Sequence, residues 1–318
     1  MKSIIINFLT KLFNKVLSNV YSEQRKTLER LEKIHLALGR NQAEANLQKK
    51  SKMIRDYGFG VFSQWDEDGI IQYLLSKLPE IPKTFIEFGV ENYIESNTRF
   101  LIMKDHWRGL IIDGSKEHID YIKRSDLYWK SELIAEHAFI TVENIESIFQ
   151  KHGFVGDLGI LSIDIDGNDY WILNKISIVN PVILIVEINN LLGYKNSLTV
   201  PYDPEFMRHK KHYSGLYFGA SLKAVYDLAK KKGYSFVGCN EIGNNAFFIQ
   251  NRYADRFHKL TLEEGYTYNW CRESRDKSGV LTFVDGHKER LNLIRDCEFF
   301  DLETQKLVKL SDYIDTSL

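Results

Sequence analysis

Cysteine is scarce. Cys239, Cys271 and Cys297 are odd in number, far apart and match no CxxC or zinc-type spacing, which excludes a disulfide framework and implies a reducing compartment, the cytoplasm. No run of about 18 uncharged apolar residues occurs, so a membrane-spanning helix is excluded. Net charge is missing too: 42 lysines and arginines against 43 aspartates and glutamates leave −1 at pH 7. No global field therefore favours nucleic acid or a strongly acidic partner. Also absent is GxGxxG, the glycine-rich cradle that a dinucleotide pyrophosphate needs at a helix N-terminus. What remains is a chain whose partner is a small molecule or binds a local patch.

With 318 residues and 44% apolar composition, the chain can bury one full core and still carry appendages. Met1 to Val20 contains Lys2, Lys11 and Lys15 and no acid, while Ile5, Leu9, Leu12, Val16 and Val20 recur at helical spacing. That is a basic amphipathic helix, and two readings of it stand. Residues 1–20 dock peripherally on the inner face of a membrane, or they pack on their own protein or a twin subunit. A signal peptide fits less well, because the apolar stretch Ile4 to Leu9 is short and no small-residue cleavage site follows. Leu28, Leu31, His35 and Leu38 then keep an approximate heptad among charged neighbours, which allows a short coiled coil and a homo-oligomer through residues 21–40. The polar stretch Arg40 to Lys50 marks a boundary. The expected organisation is a helical extension over 1–50, a main domain over 51–250 and a C-terminal extension over 251–318. In that extension Val280 to Val284 with Asp285-Gly286 suggests a small hairpin.

Within the main domain, Thr84 to Gly89, Gly109 to Asp113, Gly159 to Asp164 and Val182 to Glu187 are continuous apolar runs separated by segments of helical spacing. Continuous runs indicate strands covered on both faces, as in an α/β, doubly wound, mostly parallel sheet. Tyr234 to Asn240 and Ala246 to Gln250 are separated by too few residues for a crossover helix, so they pair as an antiparallel hairpin.

The strand ends carry acids. Ile160 to Trp171 breaks from an apolar run into Asp164, Asp166 and Asp169 around Gly167 and Asn168. In an open parallel sheet that edge is where ligands bind. Three readings of the block remain open. Asp164-Ile-Asp166 could be the DxD that holds a cation and diphosphate in a nucleotide-sugar glycosyltransferase. Asp166 to Asp169 could be turn and cap chemistry for a helix starting at Tyr170. Or the acids serve a reaction as base or as ligands of a hard cation such as magnesium or calcium, with Glu187 nearby. A non-enzymatic module recruited to membranes by its N-terminal helix is the further alternative.

Five ordered blocks over about residues 60 to 250 resemble the FkbM-like class I S-adenosylmethionine-dependent methyltransferases associated with surface glycans: Phe62-Ser-Gln64-Trp-Asp-Glu67-Asp68-Gly, Phe85-Ile-Glu87-Phe-Gly89-Val, Ile111-Ile-Asp113-Gly-Ser115, the Asp164 to Trp171 block, and Tyr217-Phe-Gly219-Ala-Ser221 with Gly233 to Asn240. The resemblance implies a seven-stranded Rossmann-like sheet and O-methylation of a sugar hydroxyl in a surface glycan or its precursor. It implies a cofactor pocket at Gln64, Glu67, Asp68, Glu87, Gly89, Asn92, Thr98, Asp113, Gly114, Ser115 and Asp164. Glu87 would face the cofactor's amino group and Asp113 its ribose hydroxyls. Asp166 and Asp169 would serve as base or, with Glu187, as metal ligands. His209 and His212 lie in an aromatic, basic segment after the fifth strand and are candidate general bases.

Overall fold

The computed structural model describes residues 2–268 and 270–314, with side chains from residue 6 on except residue 8. The side chains of Lys2 and Ile5, part of the amphipathic pattern, lie outside the described residues. Helix α1 (Lys2–Asn46) leads through a short turn to α2 (Glu67–Lys77). Then β1 (Thr84–Phe88), α3 (Arg99–Asp105), β2 (Arg108–Asp113), α4 (Lys116–Arg124), α5 (Asp126–Lys130), β3 (Leu133–His137), α6 (Ile145–Lys151), β4 (Gly156–Ile163), α7 (Asp169–Lys175) and β5 (Val179–Glu187) follow. The chain continues with β6 (Leu198–Thr199), α8 (Arg208–Lys211), α9 (Leu222–Lys231), β7 (Tyr234–Cys239), β8 (Asn245–Gln250) and α10 (Leu262–Gly265). It closes with α11 (His287–Leu293), β9 (Glu298–Asp301), β10 (Lys306–Lys309) and α12 (Ser311–Ile314).

The main sheet has seven strands in the order β3-β2-β1-β4-β5-β8-β7. The first five are parallel, β8 runs antiparallel to β5, and β7 runs antiparallel to β8. Both faces are apolar because both are covered by helices. Phe88, Phe149, Leu161, Ile172 and Val186 fill one side, while Ile70, Leu74, Phe85, Ile111 and Ile185 fill the other. Each such fully buried side chain contributes about 1.5–3 kcal/mol by leaving water.

Helix α1 is one element of 45 residues, about 68 Å long at 1.5 Å per residue. It continues into the polar stretch after Arg40, which the sequence marks as a boundary, and ends at Asn46. The reason is docking: Gly39 leaves space for the Phe100 ring, and the buried Asn46 side chain donates to the carbonyl of Tyr57. Among the described residues no helix is long and apolar enough to cross a membrane.

The C-terminal residues build a second sheet, β10-β9-β6. Its hairpin is Glu298–Asp301 with Lys306–Lys309, later than the Val280 run. There Leu281 makes only an isolated bridge to Arg275, and Gly286 instead precedes α11 as its N-cap.

Candidate active site

A cleft of about 430 Å³ opens at the carboxyl edge of the parallel strands, within the range of small-molecule sites. Its lining includes Gly89 after β1, Asp113 at the end of β2, Phe139 after β3, Asp164 after β4 and Glu187 at the end of β5. Gln64 and Glu67 before and at the start of α2, and Asn245 at the start of β8, close one side. Phe206 and Arg208 close the other.

Gly89 makes this edge possible. Its φ is +66°, and a Cβ there would lie 1.7 Å from the carbonyl oxygen of Asp164, so the backbones leaving β1 and β4 touch. Glu87 also lines the cleft, but its carboxylate already accepts from the Ser96 hydroxyl (2.6 Å), the Asn97 amide (2.8 Å) and the amide and hydroxyl of Thr98. It therefore anchors the entry into α3, which leaves little of it for the cofactor amino group expected there. Burial pushes its carboxyl above the usual range, against the pull of those bonds.

Asp113 is 8% exposed and ties two turns together. One oxygen accepts from the Glu91 amide (2.8 Å) and the other from the Ser115 amide (2.7 Å). The oxygen bonded to Ser115 also faces His118 Nδ1 at 3.4 Å, the other keeps a lone pair beyond its amide bond, and the residue lies in the lining. A carboxylate so placed fits a pair of vicinal hydroxyls such as those of a ribose. The exposed Gly114 and the Phe139 ring continue the wall there.

Asp164 and Glu187 form the centre of negative charge. Burial pushes both carboxyls well above their ordinary range; the charges of Asp166 and Asp169 add to the effect on each, as does that of Asp164 on Glu187. The Asp164 and Glu187 carboxyls act on each other, and among the described residues Oε2 of Glu187 has no hydrogen-bond donor. Carboxyls shifted in this direction bind a proton more tightly than lone ones.

Several expected site residues are corrected by their hydrogen bonds. Asp169 is fully buried and outside the lining: its two oxygens accept from the amides of Ile165 (2.8 Å) and Gly167 (2.9 Å), so it shapes the loop that carries Asp166. Burial lifts its carboxyl to about 6. Asp68 is likewise buried, holding the amides of Val61, Phe62 and Ser63 at 2.7–2.9 Å. Thr98 precedes α3 and is taken up by Glu87 and Tyr93, Ser115 caps α4, and Asn92 makes a local turn to Ile94. None of these four lines the cleft. His209 is exposed on α8 and His212 is bonded to Ser214 against the Tyr213 ring; neither reaches the cleft.

The residue that does reach it is Arg208, next to His209. Its guanidinium donates to Asp166 Oδ1 (2.7 Å) and to the Gly215 carbonyl, and lies 3.9 Å from the Phe218 ring centroid. A one-turn helix can aim only one of two adjacent side chains inward, and these contacts select the arginine. Asp166 adopts φ +55°, an uncommon left-handed conformation that directs it to this partner. The cation ligands proposed from sequence are not assembled. Asp169 spends both oxygens on amides, Asp166 is paired with Arg208, and among the described residues no group of three acids, histidines or cysteines could share a metal.

Sequence reasoning also missed Phe206, which packs where a Cβ on Gly167 would sit, and Asn168, whose amide donates to the Asp203 carbonyl (2.7 Å). The Asn-rich turn Asn240 to Asn245 was the available signal for a third: Asn240 and Asn245 both donate to Glu67 Oε1, at 2.7 and 2.9 Å. Because Asp169 shapes the acid loop through amides alone, Asp169→Ala is expected to lower stability by roughly 3–6 kcal/mol, the scale of two hydrogen bonds to a charged acceptor. Urea unfolding measures it, and a loss under about 0.5 kcal/mol would refute this structural role.

A family model for the methyltransferase FkbM domain matches residues 24–236. Among solved structures, the chain is similar to an O-methyltransferase from Bacillus cereus in complex with SAH, at 14% identity and TM-score 0.34, over 52% of this chain and 72% of that one. It is similar to the N-terminal domain of EvdMO1 with SAH bound, at 10% identity and TM-score 0.38, over 66% and 94%. A third is an S-adenosylmethionine-dependent methyltransferase from Clostridium acetobutylicum ATCC 824, at 9% identity and TM-score 0.36, over 58% and 90%. No match was found among the curated proteins.

Proposed function

The chain belongs to the FkbM-domain methyltransferases, and from that premise we propose that this S-adenosylmethionine-dependent enzyme methylates a hydroxyl of a sugar, in a surface glycan or its precursor. The observation that carries the reading is the pairing, across one cleft, of a ribose-compatible acid at the end of β2 with a proton-retaining acid pair at the ends of β4 and β5.

Asp113 and the Gly89 turn, with Gln64 and Glu67 opposite, would hold the cofactor. When bound, S-adenosylmethionine supplies an electrophilic methyl carried on a sulfonium. Beside it, the ionised member of the Asp164 and Glu187 pair accepts the proton of the acceptor hydroxyl, and the open mouth of the cleft returns that proton to water. A carboxyl whose proton affinity is raised above the ordinary range is a stronger base than an ordinary one. Arg208 and Asp166 form the rim against which the acceptor is oriented, and the buried Phe206 ring, packed on Gly167, backs that wall. Methyl transfer needs a held hydroxyl, a base and an in-line methyl, which positioning supplies.

Calorimetric titration with S-adenosylhomocysteine and with nucleotide diphosphate sugars tests the premise, and binding of a nucleotide sugar alone would overturn it. Asp113→Ala is expected to weaken S-adenosylhomocysteine at least about tenfold, or about 1.4 kcal/mol. Transfer of labelled methyl to a panel of neutral mono- and oligosaccharides then tests the acceptor class; transfer to amines but to no hydroxyl would refute it.

A further inference from the structure

Helix α1 carries an apolar seam that its own domain cannot cover. Ile6, Leu9, Phe13, Val16 and Val20 follow one another at alternating steps of three and four. After one extra step of four to Gln24, the same alternation continues through Thr27 to Leu31, Ile34 and Leu38. This is a heptad seam with a single stutter, the insertion that locally unwinds a coiled coil without ending it. The eight apolar members are each 44–63% exposed.

The domain packs on the opposite side of the helix. Glu32 pairs with Arg99, Gly39 meets Phe100 and Asn46 meets Tyr57. Counted from Gln24 as the first position of a heptad, all three fall on its second position, which faces away from a coiled-coil partner. Domain docking and seam thus use different faces, and from Ile6 to Leu31 the described side chains of the helix are almost all exposed.

We infer that a second copy of this chain covers the seam, joining two enzymes through an α1 coiled coil. The seam spans 33 residues, between four and five heptads, longer than the three to four that mark a coiled coil. Gln24 and Thr27 sit at core positions, where polar residues fix register at some cost in stability. A lipid surface is the weaker match. Beyond residue 20 the seam continues on a helix whose polar faces carry Glu23, Glu29 and Glu32 among the bases, whereas a helix lying on anionic lipid needs a lysine- and arginine-rich polar face.

Light scattering on the full chain should give twice the 37.2 kDa mass. The Val16→Glu/Ile34→Glu double variant alters only side chains exposed on the single chain. It should weaken self-association on the order of 100-fold, since each would bury an unpaired charge. Its melting temperature and S-adenosylhomocysteine binding should stay unchanged, which separates this inference from the reading of the active site. A wild-type monomer at all concentrations would overturn it, as would a dimer that survives the double substitution. So would wild-type chain that floats with phosphatidylglycerol vesicles and is released from them by the same two changes.

Discussion

Glu187→Gln is expected to reduce methyl transfer by roughly 10²–10⁴-fold, the usual contribution of a positioned base, and at the same time to stabilise the protein at pH 8. The second effect follows from the carboxyl's elevated proton affinity. Burial and the neighbouring Asp164 charge raise its folded pKa well above the unfolded value. For an acid shifted in that direction the folded state binds the proton more tightly. Its stabilising contribution is therefore fully present below the unfolded pKa, about 4.3, and is lost as pH rises through the folded pKa. Glutamine removes that loss and also relieves Asp164 of its neighbour. At pH 8 the variant should melt roughly 2–4 °C above wild type, the shift that about 1 kcal/mol produces in a domain of 150–250 residues. The gap should close toward pH 4.5. Melting curves across this range decide the matter: a variant less stable than wild type at pH 8 would show that the pair is held by a compensating cation or donor. Retained transfer would remove Glu187 from the reaction.

Gly89→Val should have the largest effect on folding. The residue has φ +66° and its added Cβ would meet backbone, the Asp164 carbonyl, which cannot swing aside as a flexible side chain could. A β-branched residue in that conformation costs about 1–3 kcal/mol in strain, and forcing the two strand ends apart costs about 1–3 kcal/mol more. A combined loss of roughly 2–6 kcal/mol is a large share of the 5–15 kcal/mol that typically holds a domain together. S-adenosylhomocysteine binding should disappear even in the fraction that folds, because the turn proposed to hold the cofactor has moved. Urea unfolding midpoints within error of wild type would contradict the close approach.

Much of the fold was legible because β1, β2, β4 and β5 are central strands, buried on both faces, and such strands write themselves as continuous apolar runs. The strand β3 lies at the sheet edge and alternates buried with half-buried residues before ending on the exposed His137, so nothing in Leu133 to His137 separated it from helix or loop. The hairpin β7 and β8 announced itself through the shortness of its connection. The polar stretch after Arg40 reads as a boundary, whereas tertiary contacts at Gly39 and Asn46 keep α1 helical as far as Asn46.

For the site, the position of the acids was readable and their division of labour was not. Asp164 and Asp169 look alike in sequence, yet Asp169 faces two backbone amides and Asp164 faces another carboxyl. Which of two adjacent side chains points inward, Arg208 or His209, depends on contacts with Asp166, Gly215 and Phe218 made across the loop. Those partners are distant in the chain or arranged by backbone shape, and residue type alone does not encode them.

The small second sheet bears on the order in which this enzyme is made. Strand β6, just before the segment that carries Phe206 and Arg208, is paired to β9, and Tyr217 donates to the carbonyl of Glu298. The residues proposed to hold the cofactor, Gln64, Glu67, Gly89 and Asp113, all precede residue 250. The proposed acceptor wall is instead buttressed by residues near 300. On the proposed division, the donor side would be synthesised first and the support of the acceptor wall last.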